Sequence, residues 1–229
     1  SPLLIVNASA VARSIDDAAA STFFEPMLDQ IADLTLARTR ITDATLAIVA
    51  RMPNLTRLNL SGSPVTDAGL ALLHQLPGFR TWRDEPERMA LLSPVAEPTH
   101  LQLRGRFTDR GLAALVGLEG LFSLNLDDPG LGITAAGLGP LRELPHLAYL
   151  AFPAGDAAMP TIAALPRLRF LSCQDTEASD DGWVALSRSR TLERIWGRHC
   201  HNLGSRGFRA LAELPKLAGL SVSCRNVAD

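Results

Sequence analysis

A repeat of 24 residues is the feature that most constrains how this chain can fold. The stretch from Leu55 to Phe79 starts with leucines in a strand-like alternation, turns at residues 61–64, and continues with leucines at helical spacing until Pro77. Moving back 24 residues recovers the same anchors, namely Ile31, Leu34, Leu36, Thr39, Ile41, Thr42, Asp43, Leu46, Met52 and Pro53. Self-similarity at such a period predicts stacked supersecondary units that bury their apolar sides against each other.

The pattern continues along the rest of the chain at slightly varying length. A degenerate third repeat is predicted to start at Phe79, with Trp82 in the place of Leu58 and directed inward. Five further repeats follow, and a ninth begins at Leu217 and breaks off before its helix. We therefore expect the natural protein to continue past Asp229.

Residues 1–30 do not fit the repeat. We predict that they form an N-terminal capping segment and that residues 31–229 form one domain of about eight repeats and a truncated ninth. Within the first segment, residues 2–6 are predicted to be a strand, and a helix is predicted to start at Asp16 and Asp17. A stack of repeats needs an atypical end segment because its first repeat would otherwise leave an apolar face exposed.

The repeat motif carries a family resemblance. The spacing L-x-x-L-x-L, a Thr, Ser or Cys three residues later (Thr39, Ser63, Thr176, Cys200), and then I/V-T-D-x-x-L resembles the leucine-rich repeat family, in its ribonuclease-inhibitor-like and cysteine-containing, F-box-associated subclasses. The resemblance covers nearly the whole chain from residue 31. It implies an α/β fold, a right-handed, horseshoe-shaped solenoid with a parallel sheet on the concave face and helices on the convex face.

Elementary geometry predicts the same curvature. Neighbouring strands lie about 4.8 Å apart, whereas a helix with its side chains is about 10 Å across, so the stack bends with its strands inside. Leu58 and Leu60 then point between the layers, and the residues that alternate with them face the concave surface. Thr66 is placed to cap the following helix, and Asp67 adds favourable charge at the helix start. The Thr, Ser and Cys column is predicted to supply partners for buried backbone groups at the turn.

Composition narrows the possible partners. Hydrophobic residues make up 47 % of the chain, charged residues 20 %, and the formal net charge is -2, which is typical of a folded protein and gives no reason to expect nucleic acid or a membrane as partner. Three cysteines at repeat spacing argue against a disulfide framework and favour a reducing, cytoplasmic location. Lys216 is the one lysine among 22 basic residues, which favours a bacterial source; a bacterial effector acting in a host cell stays an open alternative.

No catalytic or metal-binding constellation stands out. The adjacent carboxylates Asp127 and Asp128 diverge, and the glycines that follow them lack the spacing of a phosphate-binding loop. The three residues from His199 to His201 cannot easily direct all their side chains to one ion, and no second cluster at zinc-like spacing exists. We therefore predict no catalytic residue, no metal, no cofactor and no enzymatic activity.

The positions predicted to face the concave surface carry the candidate site. Aromatic residues and arginines gather there in repeats six to eight, which is the composition of interaction hot spots, although ordinary strand propensity also enriches aromatics in sheets. The predicted partner-binding residues are Asn125, Tyr149, Phe170, Gln174, Arg194, Trp196 and Arg198. Arg194 and Arg198 flank Trp196 and favour an acidic or amphipathic partner.

The resemblance implies that the chain is a non-enzymatic interaction module that binds a macromolecular partner, most plausibly a protein, on its concave sheet. The alternative is the substrate-recognition part of a larger effector or ubiquitin-ligase-type protein whose catalytic domain lies outside this chain. Neither nucleic acid nor a membrane is expected as partner, and the sequence leaves the oligomeric state open.

Overall fold

The computed structural model describes residues 3–80, 100–102, 107–126 and 132–224. Within these ranges it contains nine parallel strands, β1 (Leu4–Asn7), β2 (Ile31–Thr35), β3 (Arg57–Asn59), β4 (His100–Gln102), β5 (Ser123–Asn125), β6 (Tyr149–Ala151), β7 (Phe170–Ser172), β8 (Arg194–Gly197) and β9 (Gly219–Val222). They form one sheet whose strand order follows the chain from β1 to β9.

Each strand from β1 to β8 is followed by helical structure that packs behind the sheet. The α-helices are α1 (Asp17–Phe24), α2 (Asp43–Val49), α3 (Asp67–Leu70), α4 (Pro77–Arg80), α5 (Asp109–Ala113), α6 (Met159–Ala163), α7 (Asp180–Leu186) and α8 (Ser205–Ala212). Short 3-10 helices span Ser9–Ser14, Glu25–Met27, Ala71–Gln75 and Ala136–Glu143. We call each strand with the helical segment behind it a unit and name it after its strand.

The core lies between the sheet and the helices. The central strand residues Leu34, Leu58, Leu124, Leu150, Leu171 and Ile195 stand in register across the sheet and are buried. Trp183 in α7 is fully buried and occupies a position that leucine takes in other units. The fold is the predicted α/β leucine-rich-repeat solenoid, in which each unit contributes one strand and one helical segment to a continuous apolar layer.

The N-terminal segment joins the same sheet. Strand β1 pairs in parallel with β2, and the Asp16 side chain caps α1 by accepting a hydrogen bond from the Ala19 amide at 3.0 Å. The predicted strand and helix start are thus confirmed, while the domain boundary at residue 30 stays a prediction. The apolar residues of the first repeat are buried, among them Ile31 and Leu34, although the segment itself has apolar residues that are at least half exposed, namely Leu3, Ile5, Val11 and Phe23.

The predicted third repeat is wrong. Strand β3 pairs directly with β4, with Arg57 opposite His100 and Asn59 opposite Gln102, so the intervening chain adds no strand between them. The repeat-like sequence that starts at Phe79 misled the prediction, since Phe79 is buried in the short helix α4. Trp82 and Arg83, which were assigned to that repeat, lie outside the described residues.

The turn after each strand uses a recurrent backbone geometry. Arg38, Gly62, Asp175 and His199 occupy equivalent positions and have φ values of 60°, 66°, 51° and 55°. The Thr39 and Ser63 hydroxyls, one residue later, donate to the carbonyls of Leu36 and Leu60 at 2.7 and 2.8 Å. The predicted role of the turn column, to satisfy buried backbone groups, is confirmed at these positions.

A ladder of aspartates ties neighbouring units together at the helix starts. Asp43 accepts two hydrogen bonds from Thr66 of the next unit, one from the amide at 2.8 Å and one from the hydroxyl at 2.6 Å. Thr66 in turn caps its own helix, as predicted, by accepting from the Ala68 amide. The same rung recurs between Asp17 and Thr42, Asp67 and Thr108, Asp109 and Thr134, and Asp156 and Ser179.

In five units a glycine three residues after the position that donates to the aspartate makes room for the ladder. A Cβ atom on Gly111 would lie 2.3 Å from Asp67 Oδ1, a distance that no side chain could accept. Gly69, Gly137, Gly182 and Gly207 face the aspartate of the preceding unit in the same way. Sequence analysis identified the T-D pair but missed both this glycine column and the contact that the aspartate makes with the next unit.

Two junctions near the C-terminal half depart from the ladder. Asp180 receives only a backbone hydrogen bond, from the Gly204 amide at 2.7 Å, because glycine has no hydroxyl to donate. Between the β5 and β6 units both members of the rung are replaced, with Ala135 in the place of the aspartate and Gly155 in the place of the threonine. At that junction no side-chain rung can form.

Candidate functional site

The sheet face opposite the helices, which we call the inner face, consists of side chains that alternate with the core residues. One row across the strands, built from the residues paired in register, is Ile5, Asp33, Arg57, His100, Ser123, Tyr149, Phe170, Arg194 and Gly219. Its N-terminal part is internally neutralised, because Arg57 forms an ion pair with Asp33 at 3.3 Å. That part of the face therefore offers little unpaired charge.

The middle of the inner face is closed to solvent. Ser123, Ala151 and Ser172 are at most 1 % exposed although they alternate with core residues. Tyr149 is 7 % exposed, and its ring centroid lies 5.0 Å from that of Phe170. Tyr149 is therefore buried rather than exposed on the concave surface, and its role as a partner-binding residue stays a prediction.

The C-terminal part of the inner face is open and cationic. Trp196 is half-buried on β8, and the guanidinium carbon of Arg198 lies 5.2 Å from the centre of its ring, within the range of a cation–π contact. The Arg194 side chain extends over Gly219 of β9. A Cβ atom added to Gly219 would lie 3.4 Å from the Cγ atom of Arg194. We call Phe170, Arg194, Trp196 and Arg198 the β8 patch.

The acidic groups beside the β8 patch are already engaged. Glu193 accepts two hydrogen bonds from Arg169, at 2.8 and 2.6 Å. Asp175 contacts the His199 ring nitrogen Nδ1 at 2.7 Å. Among the described residues no carboxylate forms an ion pair with Arg194 or Arg198. The patch therefore carries two cationic groups available to a partner.

The predicted site residues are thus not one cluster. Phe170 on β7 lies beside Arg194 and Trp196 on β8, Arg198 directly follows β8, and the half-buried Gln174 follows β7. Asn125 stands on β5, opposite Ala151, three strands away from β8. At about 4.8 Å per strand this separation is on the order of 14 Å.

Catalytic and metal-binding chemistry finds little support in the described ranges. Those residues contain no group of three or more His, Cys, Asp and Glu side chains able to hold a metal ion. The His199 and His201 rings stack on each other, 5.7 Å apart. Cys200 is buried, and its hydrogen bond with Cys173 lowers the pKa of its thiol against the opposing effects of burial and of Asp175. Asp127 and Asp128 lie outside the described residues.

A search for membrane-spanning segments gave a negative result within the described residues, where every helix is too short or too polar to cross a bilayer.

Comparison with known proteins supports the fold. No protein-family model matches the sequence, and no curated protein matches it either. Among solved structures, the chain is similar to one titled as the Rad7 and Elc1 complex in yeast, with a TM-score of 0.55 and 18 % identity over 94 % of this chain. It spans only 62 % of the length of that protein. An internalin, inlF of Listeria monocytogenes, aligns with a TM-score of 0.38 and 16 % identity over 90 % of this chain and 71 % of its own.

The fold and the inner face together define the class of protein. The chain is a repeat protein of the leucine-rich-repeat type, with an open aromatic and cationic surface near its C-terminal end.

Proposed function

We propose that this chain is a non-enzymatic protein-interaction module that binds a protein partner on the inner face, at the β8 patch. One observation carries the proposal: a half-buried tryptophan with an arginine over its ring stands on an otherwise closed or neutralised sheet face. Tryptophan and arginine are the residue types that most often dominate the binding energy of interfaces.

The rest of the inner face supports this choice. The N-terminal part contains the Arg57–Asp33 ion pair, and the middle is buried. Neither part therefore offers a side chain that could anchor a partner at a net gain in binding energy. The β8 patch combines an apolar ring with charges that have no ion-pair partner among the described residues. The similar yeast protein was solved as a complex with Elc1, which is in keeping with an interaction role for the fold, although fold alone does not fix function.

Affinity capture with matched variants tests the proposal. The full chain, a Trp196→Ala/Arg198→Glu variant and an Arg209→Glu variant are immobilised, and the proteins that each captures are compared. Arg209 is exposed on α8, behind the sheet, so its substitution changes charge on the opposite side. We expect partners that the wild type and the α8 variant share and that the patch variant loses. Partners recovered equally by all three forms would remove the inner face from the proposal.

The alternative, a substrate-recognition part of a larger effector or ubiquitin-ligase-type protein, uses the same surface. It differs in requiring a catalytic domain outside this chain. Co-purification of captured partners with ubiquitin-ligase components would favour it over a stand-alone module.

A further inference from the structure

The β8 patch has a shape and a charge that specify more than binding in general. This inference rests on the proposed function and concerns the chemistry of the partner. Arg194 and Trp196 alternate along β8 and stand on the same side of the sheet, and Arg198 is the first residue after β8. The Arg198 guanidinium lies 5.2 Å from the centre of the indole ring, and the Arg194 side chain extends toward β9 over Gly219.

The neighbouring strand leaves space beside this row. The β9-side residues that face the inner side next to the patch are Gly219, Ser221 and Ser223, all of them small. Because Arg194 already lies over Gly219 and the Trp196 indole stands beside Ser221, the large side chains form a step that runs parallel to β8. An elongated ligand fits against such a step along the strand direction better than a compact one.

The charge of the patch selects the type of ligand. The chain as a whole has a formal net charge of -2, yet the step is lined by two arginines whose nearby carboxylates are paired elsewhere. Two cationic contacts suit a short acidic peptide, whereas nucleic-acid binding draws on many phosphate contacts and a broad basic surface. We infer that the β8 patch binds an extended acidic segment of a partner protein, with carboxylates at the two arginines and an apolar residue at the indole.

The alternation of an extended chain suits this arrangement. Side chains two residues apart in an extended peptide face the same side, so acidic and apolar residues can contact the arginines and the Trp196 indole together. Each arginine can hold a carboxylate through paired hydrogen bonds, and the indole contributes apolar area.

Selection from a random library of displayed 12-residue peptides on the full chain tests the inference. We expect the selected peptides to be enriched in Asp and Glu on both sides of an apolar residue. A consensus peptide should bind the wild type at least tenfold more tightly than it binds an Arg194→Gln/Arg198→Gln variant. An Arg206→Gln/Arg209→Gln variant on α8, with the same loss of charge, should bind like the wild type.

A second variant separates shape from charge. Ser221 is exposed, so Ser221→Phe should leave the fold intact while filling the step beside Trp196, and we expect it to weaken the consensus peptide by a similar factor. The inference is overturned if selection returns no binder, or binders without an excess of acidic residues. It is also overturned if a single-stranded oligothymidylate binds the patch more tightly than the consensus peptide. Partner capture that depends on Trp196 but not on acidic residues would leave the proposed function standing and remove only this inference.

Discussion

The junction between the β4 and β5 units and the junction between the β5 and β6 units belong to one solenoid but are connected differently. At the first, Asp109 accepts the Thr134 amide at 2.7 Å and its hydroxyl at 2.6 Å. At the second, Ala135 and Gly155 replace the two partners, so backbone pairing and apolar packing connect the units without a side-chain rung. The acceptor and the donor are absent together, which leaves neither an unpaired carboxylate nor an unpaired hydroxyl at the gap.

This difference shows which contacts the repeat requires and which contacts it can lose. The leucine layer and the strand pairing continue through the gap, so they are sufficient to continue the stack. The aspartate rung adds polar, geometrically demanding contacts on top of them. The junction between the β5 and β6 units also precedes the strands that carry the β8 patch. The part of the chain proposed to bind is therefore joined to the preceding units without a side-chain rung.

The largest expected effect comes from filling the space that a rung occupies. Gly111→Ala places a Cβ against Asp67 Oδ1, and the strain and the lost rung should lower the free energy of unfolding by about 3 kcal/mol. Replacing glycine by alanine inside a helix normally raises the stability of a protein. A loss of stability for Gly111→Ala would therefore by itself support the ladder. Urea unfolding measures it. The control is Gly155→Ala at the gap, where a Cβ meets nothing within 4 Å and the change should stay within about 0.5 kcal/mol. Equal effects at both positions would contradict the ladder.

Removing one carboxylate should have the next largest effect. Asp109→Ala deletes two charge-assisted hydrogen bonds to Thr134 and should cost about 2 kcal/mol in urea unfolding, reduced from the buried value because the site is solvent-accessible. Glu119 is an exposed carboxylate outside the ladder, and Glu119→Ala should change stability by less than about 0.5 kcal/mol. A loss for Asp109→Ala no greater than that of this control would mean that the rungs contribute nothing measurable.

Building the missing rung should stabilise the gap by a smaller amount. Ala158 stands here in the place of the ladder glycine, so the change is made in an Ala158→Gly background. In that background Ala135→Asp/Gly155→Thr provides both partners, and a double-mutant cycle should give a favourable coupling of about 1 kcal/mol. Each single substitution alone should be close to neutral, because it supplies only one partner. Additive effects in the cycle would show that the geometry of this junction does not admit a rung.

The smallest expected effect is a dependence on pH at the first rung. Burial raises the pKa of Asp17, but hydrogen bonds from Thr42 and Thr45 lower it by more, so that the net pKa lies below the ordinary value of 3.8. A lowered pKa in the folded state gives stability that is fully present above about pH 4 and is lost as the pH falls through the folded-state pKa. Asp17→Asn should therefore lower the Tm at pH 7 by an amount corresponding to less than about 1 kcal/mol.

The same variant should differ less from the wild type at pH 3, where Asp17 becomes protonated. Thermal unfolding of both forms at the two pH values checks this expectation. A difference in Tm between the wild type and Asp17→Asn that is larger at pH 3 than at pH 7 would contradict the lowered pKa of Asp17.

Sequence analysis predicted what recurs within one repeat. The inward leucines, the Thr66 cap and the turn hydroxyls of Thr39 and Ser63 follow from local spacing, because each of these contacts lies within a few residues of chain. The aspartate rungs join residues 23 to 25 apart in most units, so a single repeat does not reveal them. The T-D-x-G spacing was a signal that could have done so.

Contacts across the sheet were harder to predict. That Tyr149 is buried and that Arg57 pairs with Asp33 depends on which residues stand opposite, and thus on strand register. The misassigned third repeat displaced that register at β3, since it inserted a strand where β4 belongs. The residues of the β8 patch were nevertheless identified correctly as neighbours on adjacent strands, because the repeats there have regular length.

The direct pairing of β3 with β4 has a consequence for how this architecture can change. Asp67 reaches Thr108 across 41 residues with the same rung that elsewhere spans 23 to 25, so units that are neighbours in space need not be one repeat period apart in sequence. The entropy of closing a longer connection grows by only about 0.6 kcal/mol for each doubling of its length. Units of this architecture can therefore stay stacked while the chain between them differs in length.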